Sequence, residues 1–385
     1  MEKKKDQIIA FFKKETVLCI AAVLAVISMF LVPPDREYLE YLDYRVLALL
    51  FCLMLVIAGL QSIGLFRYLG LELLKRTRST RQLGLSLVGL CFFASMFITN
   101  DVALITFVPF AIMVLSMSGQ KGMLVPVIVL QTIAANLGSM LTPIGNPQNL
   151  YLYSAFSLSM GTFLLYMLPL AVLSGLLLCL SALLLKKESL GALSGKNTPP
   201  EDTAPPCPQS APQPGKLAAW LFLFLICLLC VMRILPWPVM LAIIIISVCF
   251  LNRSLFGRID YFLLLTFVCF FVFIGNMEKI PVIADFLRSF IQNRELLLGV
   301  LFSQVISNVP AAILLSGFTD AARPLLYGVN IGGLGTLIAS LASVISYRLY
   351  GAEKGAAKGA YLKTFTIYNL VFLAVLYGAA ALLLH

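Results

Sequence analysis

NLGSMLTPIGNPQNL, residues 136–150, is the stretch whose reading decides the fold. It sits inside 122–185, a run that holds no charged side chain. Apolar residues flank it on both sides in lengths that suit a bilayer, where one span uses about 20 residues. Thr142-Pro143-Ile144-Gly145-Asn146-Pro147 interrupts the helix those residues would otherwise form. Proline removes a backbone donor, and glycine frees the backbone to leave the helical region. Broken backbone at membrane depth is tolerated only beside protein or a water-filled cavity. The stretch therefore predicts a membrane helix broken at a polar site, followed by a further span over 162–185.

A second stretch, NIGGLGTLIASLASV at 330–344, repeats the pattern. Asn136, Gly138, Thr142 and Ile144 recur as Asn330, Gly332, Thr336 and Ile338, while Gly145, Asn146 and Asn149 meet Ala339, Ser340 and Ser343. Upstream of each, Thr99-Asn100-Asp101-Val102-Ala103 pairs with Ser307-Asn308-Val309-Pro310-Ala311. These polar points sit between apolar runs too short to span, 83–98 with 102–118 and 296–306 with 309–318. Each pair reads as a re-entrant hairpin, the first over 83–118 and the second over 295–318. The expected domain organisation is a first repeat at 1–185, a linker at 186–216 and a second repeat at 217–385.

Charge sets the expected topology. Of the 385 residues, 60% are hydrophobic and 12% charged, against roughly 25% charged in a soluble domain; the mean hydropathy is +0.96. The formal net charge of +10 comes from basic residues in short loops, as the positive-inside rule produces, and not from a nucleic-acid groove. Lys3, Lys4, Lys5, Lys13 and Lys14 place the N-terminus in the cytoplasm, ahead of spans at 17–32 and 44–64. FRYLGLELLKRTRST (66–80) reads as an interfacial amphipathic helix, and so does VIADFLRSFIQNR (282–294). The second half adds spans at 217–235, 239–251, 261–275, 325–347 and 365–384, which leaves the C-terminus outside. Prolines at 199, 200, 205, 206, 208, 212 and 214 make the linker a disordered cytoplasmic segment. On these assignments the first hairpin opens inward and the second outward, so the halves are inverted repeats, a signature of transporters with a midplane site.

Other classes lack their residues. The single histidine is His385, so histidine triads and histidine metal sites are excluded. Of nine cysteines only Cys207 lies in a polar stretch, and Cys227 and Cys230 sit in a greasy helix with no second ligand pair. There is no H-E-x-x-H, no G-x-S-x-G and no pair of intramembrane aspartates. An intramembrane enzyme is therefore a remote alternative, and no cofactor is expected. The chain also holds no soluble nucleotide-binding segment, which argues against an ATP-driven pump.

The broken points carry the chemistry. Half-helix N-termini offer free N–H groups and a positive dipole end to an anion. Freed carbonyls and the oxygens of Thr, Ser and Asn can coordinate Na+. An Asn or Thr in one span could simply bridge neighbouring helices, but four clusters in two matched pairs point to a site. Asp101 is the only charged residue between Arg81 and Lys121. A buried carboxylate without a partner is costly, so Asp101 is protonated, cation-bound or hydrated. Its counterpart is Val309, and the symmetry breaks at the charge.

FITNDVALITFVP (97–109), NLGSMLTPIGNPQNL (136–150) and SNVPAAILLSG (307–317) resemble the motifs of the ion transporter superfamily. Within it they are most similar to the citrate-transporter-like and arsenite permease branch, related to the divalent anion/sodium symporters. The resemblance covers nearly the whole chain outside the linker and implies an all-α polytopic elevator-type transporter, usually a homodimer in the inner membrane. Carried onto the matching positions, it implies substrate ligands at Thr99, Asn100, Asn146, Asn149, Ser307, Asn308 and Ser340. It implies coupling-ion ligands, Na+ among them, at Asp101, Asn100, Thr142, Gly145, Asn308, Thr336 and Ala339. Dicarboxylate symporters of the superfamily resemble Ser-Asn-Thr at both tips, where this chain has Thr-Asn-Asp and Ser-Asn-Val. A carboxylate at the tip would repel a dianion, and it suits a weak acid with proton or sodium coupling. The expected function is transport of a small anion or weak acid (carboxylate, oxyanion or metalloid acid), with a Na+/H+ antiporter as the alternative.

Overall fold

The computed structural model describes residues 15–74, 77, 79–117, 119–185, 212–353 and 355–384. The chain enters through α1 (Thr16–Leu31) and α2 (Tyr44–Ser62). Asp43 caps α2, its Oδ1 accepting from the Val46 N–H at 2.9 Å, which satisfies one of the orphan donors of a helix start. Gly64, at φ +76°, turns the chain into the amphipathic α3 (Leu65–Leu74). A hairpin follows, α4 (Thr80–Ala94) and α5 (Asn100–Met117), joined by the turn 95–99. Next α6 (Leu124–Gly138) breaks through a 3-10 turn and extended residues into α7 (Pro147–Ala155), and α8 (Met160–Leu183) closes the half.

The second half opens with α9 (Pro214–Val231), α10 (Trp237–Leu251) and α11 (Tyr261–Glu278). The amphipathic α12 (Pro281–Ile291) leads to a hairpin of α13 (Glu295–Ile306) and α14 (Asn308–Ser316). Then α15 (Ala322–Ile331) breaks into α16 (Leu341–Gly351), and α17 (Lys358–Leu384) ends the fold. The order of amphipathic helix, hairpin, broken helix and long helix thus occurs twice.

The span over 325–347 divides into two helices at the break that the repeated pattern predicts: Gly332, Gly333 and Gly335 sit where the backbone leaves the helix, Gly335 at φ +104°. One expectation is corrected. The linker does not reach 216: Pro214 is the first residue of α9. Proline fits that position because its missing N–H would have no intrahelical partner there. Residues 1–14 and 186–211, with the basic N-terminal run and most of the proline-rich linker, lie outside the described residues.

Among the described residues six helices are long and apolar enough to cross a membrane: Arg36–Ser62, Lys121–Leu141, Met160–Leu183, Pro214–Val231, Tyr261–Glu278 and Lys358–Leu384. The hairpin arms and α1 are shorter. Apolar side chains such as Leu165, Leu176, Phe250 and Leu382 project outward from α8, α10 and α17, as surfaces solvated by lipid do. By contrast α6 is buried all round from Val127 to Gly138, and α15 from Leu325 to Ile331. A helix apolar on every face belongs in the middle of a bundle. Around α6 pack α4, α5, α8 and α17; around α15 pack α13, α14 and α17. The halves also interlock, since α5 lies on α16 and α14 lies on α7. The molecule is an all-helical polytopic membrane protein with its two broken helices innermost.

Candidate functional site

The hairpin turns are fastened to the breaks by matching bonds. Thr142 Oγ1 donates to the carbonyl of Met96, and Thr336 Oγ1 donates to the carbonyl of Gln304 at 3.1 Å. Those two threonines are equivalent in the repeated sequence, and so are the two acceptors. The first turn donates Asn100 N–H to Gly145 O at 3.3 Å; the second donates Ser307 Oγ to Ala339 O at 3.4 Å. Glycine permits both crossings. A Cβ on Gly138 would stand 2.1 Å from Phe92 O and 2.5 Å from Ser95 Oγ, and one on Gly332 would stand 2.6 Å from Ser303 Oγ. Ser95 and Ser303, again equivalent, are contacts the sequence reading did not single out.

The first turn lies just ahead of its expected tip, Thr99-Asn100-Asp101, while the second falls on its expected tip, Ser307-Asn308. Asn100 and Asp101 form the first turn of α5, so the bend lies at 95–99. In the second hairpin the whole bend falls on Ser307, at φ +74°. A left-handed non-glycine backbone costs of order 1 kcal/mol or more and is held only when its surroundings fix it. Ser307 and Asn308 are both buried. This strain aims the start of α14 at the second break.

At the centre is Asn136, on α6 and 3% exposed. Its Oδ1 accepts from Asn100 Nδ2 at 3.0 Å and from Ser340 Oγ at 2.9 Å, while its Nδ2 donates to Gly333 O at 3.4 Å. Gly333 also faces the second hairpin, for a Cβ there would lie 3.0 Å from Asn308 Nδ2. One amide thus gathers the first hairpin and the second break, with the second hairpin one contact away. Asn330, the counterpart of Asn136, donates Nδ2 to Asn149 Oδ1 at 2.7 Å. Asn149 Nδ2 points at the carbonyls of Ser139 and Met140, both at 3.3 Å. Asn146 Nδ2 donates to Ser139 Oγ at 2.6 Å.

Of the residues expected in the site, Asn100, Asn146, Asn149, Ser307, Asn308, Ala339 and Ser340 are buried in this one cluster. Gly145 belongs to it by close approach, since a Cβ there would sit 2.2 Å from Ser139 O. Thr99 and Thr142 are half-buried at its edge, and Thr336 is exposed. Asn136 and Asn330 were matched as repeat positions but not placed in the site; an asparagine in the last helical turn before each break was the signal available. Gln304 was missed altogether. Its Nε2 donates to Gly332 O and Leu334 O, both at 2.9 Å, and its Oε1 accepts from Thr336 N–H at 2.8 Å.

The cluster leaves oxygens unmet. Asn146 Oδ1 and Asn330 Oδ1 are buried acceptors without a hydrogen-bond donor, and so, next to Asn100 on α5, is Asp101 Oδ1. Each such group costs about 1–3 kcal/mol, more if charged, unless something supplies a hydrogen or a positive charge. No group of three or more His, Cys, Asp or Glu side chains converges among the described residues, so a tightly held transition metal has no ligand set there.

The family model described as "Citrate transporter" matches residues 7–324. An uncharacterized transporter of Methanocaldococcus jannaschii is 32% identical over 317 residues, covering 81% of this chain and 83% of that protein. The inner membrane protein YbiR of Escherichia coli is 30% identical, covering 84% of each chain. A silicon efflux transporter of rice (Oryza sativa) is 34% identical over 158 residues, 41% of this chain and 31% of that protein. With the family model matched over most of the chain and two relatives at 30% identity or more covering four fifths of it, the chain belongs to the citrate transporter family, and it is a membrane transporter and not an enzyme.

Proposed function

We propose that the chain is a secondary active transporter that carries a small anion or weak acid across the inner membrane by alternating access, coupled to Na+ or H+. The observation that carries this reading is Asn136, whose one amide joins the first hairpin to the second break in the middle of the bundle. The crossed packing of α5 on α16 and of α14 on α7 supports two inverted repeats with the substrate between them. Substrate is held by the buried asparagines and serines, Asn100, Asn146, Asn149, Ser307, Asn308 and Ser340, with Thr99 at the margin. The coupling ion is held at Asp101 and at the oxygens of Asn100, Thr142, Gly145, Asn308, Thr336 and Ala339.

The unmet acceptors favour a substrate that brings hydrogens. A fully ionised dianion would face Asp101 Oδ1 and the amide oxygens of Asn146 and Asn330 with no hydrogen to give. A hydroxylated or protonated weak acid supplies one, and a Na+ ion answers the rest. The family description names citrate, and a relative is named for silicon efflux. Both fit the class of small hydroxylated acids. In the alternating motion the hairpins and broken helices travel together against α1, α2, α10 and α11, in a homodimer with the N-terminus and linker in the cytoplasm. A second reading, Na+/H+ antiport, draws on the unpaired carboxylate oxygen of Asp101.

The test is a flux screen in proteoliposomes with citrate, succinate, sulfate, arsenite and silicic acid under separate sodium and proton gradients. Gradient-dependent accumulation of at least one solute supports the symport or exchange reading. Sodium–proton exchange with none of the solutes moving leaves the antiporter.

A further inference from the structure

The first break holds a buried donor that nothing in the folded chain accepts. Gln148, in the first turn of α7, is 1% exposed, and its Nε2 has no hydrogen-bond partner. Its counterpart in the second repeat is Ala342, so the matched polar pattern does not account for it. Helical spacing places it with Tyr151, whose hydroxyl meets Ser316 Oγ of α14 at 2.9 Å. Gln148 therefore stands on the face that α7 turns to α14, one turn nearer the break. The two helix starts beside it are open as well. Neither Asn146 before α7 nor Ser307 before α14 caps its helix with a side chain. Intrahelical bonding begins with Leu150 N–H to Asn146 O and Ala311 N–H to Ser307 O, both at 3.1 Å. The N–H groups of Gln148, Asn149, Asn308 and Val309 precede those bonds and have no acceptor within their helices. Both starts converge on one stretch of the second break, where Asn149 accepts from Asn330 at 2.7 Å and Asn308 lies against Gly333.

From the unpaired amide and the two uncapped helix starts, we infer that Gln148 is a specificity residue that donates to an anionic oxygen of the substrate. The inference rests on the transport reading and narrows its substrate class. The ligand carries a charged oxygen for Gln148 and the starts of α7 and α14, and a hydroxyl for the unmet oxygens of Asn146 and Asn330. A helix start favours negative charge through its dipole and its free N–H groups, which a neutral hydroxylated acid would leave unused. Gln148, Asn146, Ser307 and Asn308 are all buried, so the ligand enters as the second hairpin parts from α7.

The test follows thermal unfolding of the full chain in phosphatidylcholine nanodiscs, titrated with citrate and, separately, with inorganic phosphate. Each probe carries a hydroxyl beside a charged oxygen. The expected result is a saturable rise in the wild-type midpoint with at least one of them. Its apparent affinity is about tenfold or more weaker in Gln148→Met, which loses a hydrogen bond to a charged group. Gln148→Glu, which sets a carboxylate against the anion, abolishes the rise. Without ligand, Gln148→Met unfolds no earlier than the wild type, because it removes a buried donor that had no acceptor. A purely structural amide would lose stability there. No saturable rise in the wild type overturns the inference, and so does wild-type affinity in either variant. A lower ligand-free midpoint in Gln148→Met also overturns it, by showing that the amide has a partner within the fold. Flux decides the transport reading separately: solute uptake by a chain whose Gln148→Met variant binds as the wild type does removes this inference alone.

Discussion

At the scale of single residues, two side chains bear the mechanism. Asn136 accepts two hydrogen bonds and donates one, with Asn100 in the first hairpin and with Ser340 and Gly333 in the second break. Asn136→Ala leaves Asn100 Nδ2 and Ser340 Oγ without their buried acceptor. It should lower stability by about 1–3 kcal/mol and reduce transport more than that loss explains. Unfolding in detergent and uptake in proteoliposomes, measured on the same preparation, check both; normal uptake would show that the gathering of segments is not needed. Asp101 separates coupling from binding. Asp101→Asn keeps the size of the side chain but cannot take up a proton or supply a negative charge. It should abolish gradient-driven accumulation while sparing substrate exchange. Wild-type transport that titrates with pH, lost in the variant, identifies proton coupling; a lost sodium activation curve identifies sodium. Accumulation equal to wild type under both gradients would make Asp101 structural.

At the scale of elements, the hairpins are held to the broken helices by close approach without side-chain bulk. Gly138 and Gly332 occupy equivalent positions and press on Ser95 and Ser303 respectively. For Gly138 the nearest atom is the Phe92 carbonyl oxygen, at 2.1 Å from a built Cβ, and backbone cannot swing aside. Gly138→Ala should therefore destabilise the protein by about 1–3 kcal/mol through overpacking and open the first hairpin from α6. At Gly332 a Cβ would meet the Ser303 hydroxyl at 2.6 Å and the Gly328 carbonyl oxygen at 2.7 Å, both less close than the 2.1 Å at Gly138, so Gly332→Ala should cost less and Ser303→Gly should restore the side-chain part of the loss. Unfolding midpoints of the three variants check the order, and an innocuous Gly138→Ala would refute the account of the packing. The hairpins were legible in the sequence because polar residues interrupt short apolar runs. The second bend was legible too, at Ser307-Asn308, whereas the first falls at 95–99, ahead of the polar tip, since its place depends on which carbonyl of the broken helix the turn meets.

At the scale of the whole molecule, the proposal rests on opposite orientation of the two halves. Glu37 and Gln292 are exposed at the ends expected outside, and Lys121 and Arg253 are exposed at the ends expected inside. In a background without reactive native thiols, single cysteines at Glu37 and Gln292 should react with an impermeant reagent on intact cells. Those at Lys121 and Arg253 should react only after permeabilisation. Labelling of Arg253 from outside would reverse the second half and remove the inversion. The end that holds Glu37 also carries an inter-element clamp. Lys279, following α11, pairs with Glu37, lies 3.8 Å from Asp35 and stands over the Tyr41 ring at 5.3 Å. The Glu37 carboxylate raises the lysine's affinity for its proton, so the clamp stays charged through the neutral range.

By itself the sequence determined that the chain is helical and membrane-embedded, and where its helices are interrupted. Apolar run length and the placement of Pro143, Pro147, Gly335 and the basic loops act locally, and the bilayer enforces them on each segment separately. It also determined the matched pairs of polar points, because each half had to satisfy the same broken backbone. Only the tertiary structure decided which points meet. Asn136 reads in the sequence as one of two amides, with Gln131, in a greasy helix, but its partners lie 36 and 204 residues away. Gln304 looks like an ordinary hairpin residue until the second break folds over it. Those pairings follow from crossed helix packing between the halves, a long-range geometry that no local pattern encodes.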